Sequence, residues 1–375
     1  MIRSAGLLII VNDRILLVKQ KTNSSQRYLS IPKGEVADGE SLLTAAIRET
    51  YEETGLDFAS EKKFEGPFFL CYSYRGKVYK EVYYYVIRMN FLPDSFEPKD
   101  TFEIESVNLY CYDEAEEHLF VQQLSILSHV DTSKISDKNL QWLLQNNYLR
   151  REKHPFTDFY IYNYTDKCKI EGYWNETTLW SRGLILDRNN NVIARPLKKF
   201  FEYEQLNDIY KKELPQEFSV YDKLDGSLGI LYWYKGLPFI TTRGSFVSYQ
   251  AYHATQVLYR KYSSQIHLLD ENITYFFEII YPQDRHIINY GDTDDIFLIG
   301  AYDNKNRREI EIHRLLETLS FQTTKKYDKK MLPDLLKEDV IGREGYVILF
   351  ENGKRIKIKY PSYKKLFSQI KLYYE

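Results

Sequence analysis

The chain has 375 residues, 43% of them hydrophobic, and a formal net charge of −2, a length that exceeds one ordinary core and gives two domains room to bury their own. No apolar run approaches the roughly 20 residues of a membrane-spanning helix, and Met1-Ile2-Arg3-Ser4-Ala5-Gly6 leads into a strand-like run rather than a signal peptide. Cys71, Cys111 and Cys168 lie too far apart for a disulfide framework or a Cys-x-x-Cys metal knuckle, so a reducing cytoplasm is the expected setting.

In chain order, the apolar runs Gly6–Val11 and Ile15–Val18, joined by the polar Asn12-Asp13-Arg14, predict a hairpin. A helical pattern over about Ser41–Thr54 follows, then strand-like aromatic segments near Pro67–Tyr74, Val82–Met89 and Val107–Tyr112, an α/β layout. Asp113-Glu114-Ala115-Glu116-Glu117 starts a further helix, with acidic residues where the macrodipole favours them. From about Asp131 to His154 the pattern is polar and mostly helical. We expect a first domain over 1–131, a helical linker over 132–154 and a second domain over 155–375. In the latter, short β-rich segments alternate with Gly, Asn and Asp turns, as at Leu184–Ala194, so it should be sheet-dominated. Residues 1–150 carry 17 Lys and Arg against 22 Asp and Glu, whereas 151–375 carry 34 against 31. An acidic half suits a metal site; a mildly basic half suits polyanions.

Gly34 and Gly39 permit a tight loop before the first helix, and Gly55 suits its left-handed end. On that helix Glu49, Glu52 and Glu53 stand at i, i+3 and i+4 and share one face. Three carboxylates so close repel one another unless divalent cations neutralise them, and oxygen donors of this kind suit Mg²⁺ or Mn²⁺. The whole segment, Gly34-x5-Glu40-x7-Arg48-Glu49-Thr50-x-Glu52-Glu53-x-Gly55-Leu56, resembles the Nudix box at every fixed position, with Thr50 alone replacing the usual aliphatic residue. The resemblance implies an α/β/α sandwich with a mixed sheet that hydrolyses a nucleoside diphosphate linked to another group. It assigns the metal to Glu49, Glu52, Glu53 and Gly34, where bound cations polarise the pyrophosphate and activate water, and it gives Arg48 the task of orienting the glutamates.

Farther on, Lys223-Leu224-Asp225-Gly226-Ser227 sets a lysine before an acidic residue and a glycine turn. Other segments accompany it in order: Ser181-Arg182-Gly183, Arg195-Pro196-Leu197-Lys198-Lys199-Phe200-Phe201, Thr242-Arg243-Gly244-Ser245, Phe277-Glu278, Ile296-Phe297, Glu344-Gly345-Tyr346 and Lys357-Ile358-Lys359. Together, over about residues 156–365, they resemble the nucleotidyltransferase ligases, and most closely the phage-type RNA ligase 1 family. The resemblance implies antiparallel sheets flanked by helices and an ATP-dependent RNA ligase whose nucleophile is Lys223. It also implies ATP or AMP contacts from Arg182, Lys199, Asp225, Gly226, Arg243, Glu278, Phe297, Glu344, Lys357 and Lys359, with Phe297 stacking on adenine and Glu278 also holding metal. A lysine attacks only when neutral, and Arg182, Lys199, Lys357 and Lys359 are expected to depress the pKa of Lys223 by like-charge repulsion.

The histidines, among them His253, His286 and His313, lack metal-ligand spacing, and no Ser/His/Asp set or Cys nucleophile assembles. The expected protein is thus a bifunctional α+β enzyme of RNA end processing. Its ligase forms lysyl-AMP, adenylates an RNA 5′-phosphate and joins it to a 3′-hydroxyl, using ATP and Mg²⁺ or Mn²⁺. Its Nudix domain prepares or corrects 5′ ends. Two alternatives stand beside this: a Nudix domain that hydrolyses or senses dinucleoside polyphosphates or ADP-ribose, and a nucleotidyltransferase that adenylates without sealing.

Overall fold

The unbroken apolar run near the N-terminus forms a strand covered on both faces, with every residue from Ser4 to Val11 buried. The computed structural model describes residues 1–21, 28–75, 77–93, 96–206, 208–212, 214–306, 308–328 and 331–374. The chain forms two units, the first comprising Met1–Arg150, Asn163–Leu179 and Asp187–Val192, the second Arg151–Tyr162, Trp180–Leu186 and Ile193–Glu375. Among the described residues no helix is long and apolar enough to cross a membrane.

The N-terminal elements are β1 (Ile2–Val11), β2 (Arg14–Gln20), β3 (Leu29–Ser30), β4 (Lys33–Glu35), α1 (Leu42–Thr54), β5 (Glu65–Tyr74), β6 (Lys77–Met89), β7 (Ile104–Tyr110) and α2 (Tyr112–His118). β1 and β2 make the expected hairpin; Asn12 takes φ 56°, a left-handed turn that asparagine tolerates. The sheet runs β3-β2-β1-β6-β5, with β4 on β1 and β7 on β2. It is mixed because β1 and β6 are parallel. Leu8, Ile10, Leu17, Leu70, Val82, Tyr84 and Leu124 form its core.

Ser41 caps α1 by accepting a hydrogen bond from the Thr44 amide, and Gly55 at φ 78° closes the helix. One helix face is buried, including Leu42, Ala45, Ala46 and Thr50. There follow α3 (Asp137–Gln145), β8 (Leu149–Lys153), β9 (Tyr160–Tyr164), α4 (Asp166–Glu171), α5 (Glu176–Trp180), β10 (Arg182–Leu186) and β11 (Val192–Ala194). The stretch 132–154, expected to be helical, instead holds α3 and then a strand. Asn147 at φ 58° ends the helical path, and the chain extends from there.

The remaining elements are β12 (Phe201–Glu202), α6 (Asp208–Lys212), β13 (Phe218–Lys223), β14 (Ser227–Tyr234), β15 (Leu237–Thr242), α7 (Tyr249–Lys261), β16 (Ile273–Ile280), β17 (Asp295–Asp303), β18 (Arg308–Ile310), α8 (Ile312–Leu315), β19 (Lys326–Tyr327), α9 (Leu332–Leu335), β20 (Gly345–Phe350), β21 (Arg355–Lys359) and α10 (Pro361–Tyr374). They build two five-stranded sheets, β12-β21-β20-β13-β19 and β15-β14-β16-β17-β18. Apart from the parallel β12–β21 pair, their neighbours are antiparallel. This is the sheet-dominated α+β architecture expected of the second half. The chain passes from one sheet to the other at 223–227, so Lys223 sits at the crossing point.

Thr50 is 0% exposed, and its hydroxyl has no hydrogen-bond partner among the described residues. Thr50→Val keeps the branched shape and removes a buried unsatisfied group. Denaturant unfolding should register a gain of about 1 kcal/mol with an unchanged slope.

Candidate active sites

The first site lies between β4 and α1. A Cβ on Gly34 would fall 1.8 Å from Glu49 Oε2, so only glycine lets the Glu49 carboxylate lie against this backbone. Arg48 organises the acidic residues: its Nε and one terminal nitrogen donate to the two Glu40 oxygens at 3.0 and 2.9 Å, while the other terminal nitrogen reaches Glu49 at 2.7 Å and Glu52 at 3.4 Å. It also donates to the Glu35 carbonyl at 3.0 Å. The fork of a guanidinium suits this bridging, which a lysine could not reproduce.

Glu53 is 6% exposed and accepts from the Lys33 amide at 2.9 Å. Burial pushes the Glu53 carboxyl up, against the pull of the Lys33 charge and amide. Burial likewise pushes Glu49 up, opposed by Arg48, and pulls the Lys33 and Lys80 ammonium groups down. Among the described residues no three acidic, histidine or cysteine side chains converge as a metal cluster, because Arg48 lies between Glu49 and Glu52. The donor set still fits a hard divalent cation. Gly34 leaves its backbone open beside Glu49, and a cation would offset the cost that burial imposes on the Glu49 and Glu53 charges. Lys33 and Lys80 were not singled out from sequence, since isolated strand lysines carry no pattern.

The second site is built on register. Lys223 at the end of β13 lies opposite Gly345 of β20, which lies opposite Lys359 of β21. Glu344, next to Gly345 and 2% exposed, therefore sits between the two lysines: Lys223 Nζ donates to one carboxylate oxygen at 2.8 Å, and Lys359 Nζ lies 2.9 Å from the other. A Cβ on Gly345 would strike the Ile358 carbonyl at 1.9 Å. Lys357 projects from the same face of β21 as Lys359. Its ring contact at 6.0 Å and that of Arg182 at 5.9 Å converge on Phe200, while Lys199 lies 4.0 Å from the Phe201 ring centroid. Glu278 on β16 accepts from the Gly226 amide at 2.9 Å and stands opposite Phe297 on β17. Arg243 is exposed at the end of β15.

The expected depression of Lys223 is reversed. Burial and the Arg182 charge do favour the neutral amine, but Glu344 and Glu278 outweigh them and hold the Lys223 ammonium above its usual range. The like-charge effect falls on Lys357 instead, brought to about 8 by burial and then by Lys223, Arg182 and Lys359. Burial also raises the Glu278 carboxyl, opposed by Lys223.

Asp225, read from sequence as a nucleotide contact, has its oxygens occupied by the protein. It accepts from the Ile287 and Ile288 amides at 2.9 Å each and from Tyr363 Oη at 2.8 Å, with His286 Nδ1 at 3.7 Å. Burial alone would raise this carboxyl, but the nearby His286 ring and the bonds from the Ile288 amide, Tyr363 and the Ile287 amide hold it at about 2. Ser227 Oγ donates to Asp284 at 2.8 Å, and Gln250 donates to the other Asp284 oxygen at 2.8 Å. Sequence reading missed Tyr363 and Gln250 because they lie far along the chain from the lysine motif, and it included Ser227 in that motif without giving it a role.

Fold and sites together are those of a two-enzyme chain, a Nudix-type hydrolase unit and a nucleotidyltransferase unit. The NUDIX domain model matches residues 1–128, and the T4-type RNA ligase model matches residues 180–372, more than half of the chain. The protein belongs to that RNA ligase family and carries a Nudix hydrolase domain. No curated protein matches it. Among solved structures, it is similar to a C. elegans Ap4A hydrolase at 24% identity over 39% of this chain and 99% of that one, with a TM-score of 0.29. It is also similar to a Naegleria gruberi RNA ligase variant with ATP and Mn at 15% identity over 58% and 76%, with a TM-score of 0.40.

Gly34→Ala should displace Glu49 and lower metal-dependent pyrophosphate hydrolysis more than about tenfold, while leaving label transfer from ATP to the second unit intact. A phosphate-release assay beside the labelling assay separates the two. Asp225 contributes stability above the ordinary aspartate range of about 4 that is lost as pH falls toward about 2. His286, raised mainly by the Asp225 carboxylate beside it, contributes stability at low pH that is lost as pH rises through its raised value. Asp225→Asn should therefore cost roughly 2 kcal/mol near pH 6, and urea unfolding should find the difference shrinking below about pH 4.

Proposed function

We propose that this enzyme repairs RNA ends: the ligase unit joins a 5′-phosphate to a 3′-hydroxyl using ATP, and the Nudix unit produces that 5′-phosphate from ends it cannot otherwise use. The observation that carries the reading is the buried Glu344 between Lys223 and Lys359, at the level of the sheet where Arg182, Lys357 and Glu278 also gather.

Lys223 attacks only after its ammonium has lost a proton and released Glu344. Its nitrogen then bonds to the α-phosphorus of ATP as the bond to the β-phosphate oxygen breaks and pyrophosphate leaves. Arg182, Lys357 and Lys359 offset the charge on the departing phosphates. A 5′-phosphate oxygen of RNA next takes the AMP from Lys223, returning the amine. Attack by a 3′-hydroxyl on the adenylated end forms the phosphodiester and expels AMP. A divalent cation, Mg²⁺ or Mn²⁺, would supply charge neutralisation at Glu278 and Glu344 and, in the Nudix unit, at Gly34, Glu49, Glu52 and Glu53. There Arg48 fixes Glu49 and Glu52, while water divides the pyrophosphate of a triphosphate, nucleotide-capped or abortively adenylated 5′ end.

Incubation with α-labelled ATP and Mg²⁺ should label the chain, and Lys223→Ala should abolish the label. Glu52→Gln should retain it yet lose at least about a hundredfold in nucleotide release from adenylated or capped RNA. Release from dinucleoside polyphosphates or ADP-ribose, with none from RNA ends, would sink the coupling and leave the Nudix unit a hydrolase of free nucleotides.

A further inference from the structure

Helix α7 buries Ala251, Ala254, Val257 and Leu258 and turns tyrosines the other way. Tyr249, Tyr252 and Tyr259 are 88%, 66% and 37% exposed, at helical spacings of three and seven that place them on one face. Val247, 65% exposed, precedes them. Tyr259 is anchored by donating from its hydroxyl to the Pro238 carbonyl at 3.1 Å. A row of exposed aromatics on a helix is an interaction surface rather than ordinary solvent-facing composition.

Two further observations say what covers it. The first is charge. Residues 226–269, which include β14, β15 and all of α7, contain no Asp or Glu although the chain has 53 of them, while Lys235, Arg243, Arg260 and Lys261 lie in the same stretch. Arg260 and Lys261, at the far end of the helix, are tied to Asp294 and Asp295. The stretch itself carries no carboxylate, and those that other segments bring to it are engaged by protein donors: Glu152 by Ser245, Asp284 by Gln250 and Ser227, and Asp294 by His253 and Arg260. The second is continuity with the ligase site. Gln250, between the two most exposed tyrosines, donates to Asp284, which accepts from Ser227 of the lysine loop. A Cβ on Gly183 would lie 3.3 Å from the Arg243 backbone, so the loop entering α7 packs beside Arg182-Gly183.

From these we infer that the outward face of α7, with Tyr249 and Tyr252 at its centre, seats single-stranded RNA leading to the ligase site. Bases stack on the tyrosine rings, which accept any base because every base has a π-face. The inference rests on the reading that this unit seals RNA. A protein partner using the same face is the outcome the test separates.

The full chain is titrated into a fluorescently labelled single-stranded oligoribonucleotide and compared with Tyr249→Ala/Tyr252→Ala and Tyr249→Phe/Tyr252→Phe. Label transfer from α-labelled ATP to Lys223 is measured in parallel. The alanine pair should weaken RNA binding by about tenfold or more and lower sealing at subsaturating RNA, whereas the phenylalanine pair keeps both and all three chains self-adenylate alike. If the alanine pair also loses adenylation, Tyr249→Ala alone decides, since removing a side chain 88% exposed leaves the fold in place. RNA affinity of the alanine variants within about twofold of the unaltered chain overturns the inference. An unaltered chain that self-adenylates but neither binds nor seals RNA overturns the RNA-sealing reading, and this inference with it.

Discussion

Everything in the ligase unit is arranged around one carboxylate, Glu344, buried between two ammonium groups. Taking charges out of water is costly, and the Lys223–Glu344–Lys359 row repays that cost only because three neighbouring strands hold their side chains at the same level. The same row keeps Lys223 protonated before substrate arrives. Under the proposed function this makes Lys223 a nucleophile held as its ammonium until Glu344 finds another partner, which would tie the chemistry to a filled site.

The loop that presents Lys223 is fixed from the opposite side. Asp225 gathers two backbone amides and a tyrosine hydroxyl, and Asp284 joins Ser227 to Gln250. These bonds tie β13, β14, the segment after β16, α7 and α10 to one short turn. Gly226 has to be glycine there, because a Cβ would meet the Ile279 carbonyl at 2.4 Å. The backbone of Lys223 is thus held from both sides, as the proposed role of carrying AMP requires.

The Nudix unit solves a related problem with the signs exchanged. Its acidic residues are drawn together by Arg48 and by the Lys33 amide, so repulsion among carboxylates is offset before any cation binds. Each unit thus carries its own internal counter-charge.

Much of this was legible in the sequence. The box from Gly34 to Leu56 gave the helix, its glycine end and the shared face of Glu49, Glu52 and Glu53, because all of these are local matters of spacing and φ preference. The motif order gave Lys223, Glu278, Glu344, Lys357 and Lys359. The stretch 132–154 misled because its polar composition fits helix and strand alike, and Asn147 ends the helix there. The protonation of Lys223 and the occupation of Asp225 were beyond reach, as were the tyrosine face of α7 and its route to the lysine loop. The sequence by itself determined which chemical groups each unit owns, since those lie in short motifs. Only the tertiary structure decided which groups touch: Asp225 meets partners 62 to 138 positions away and Lys223 meets Glu344 across 121, and which charge prevails at a buried site depends on such distant neighbours.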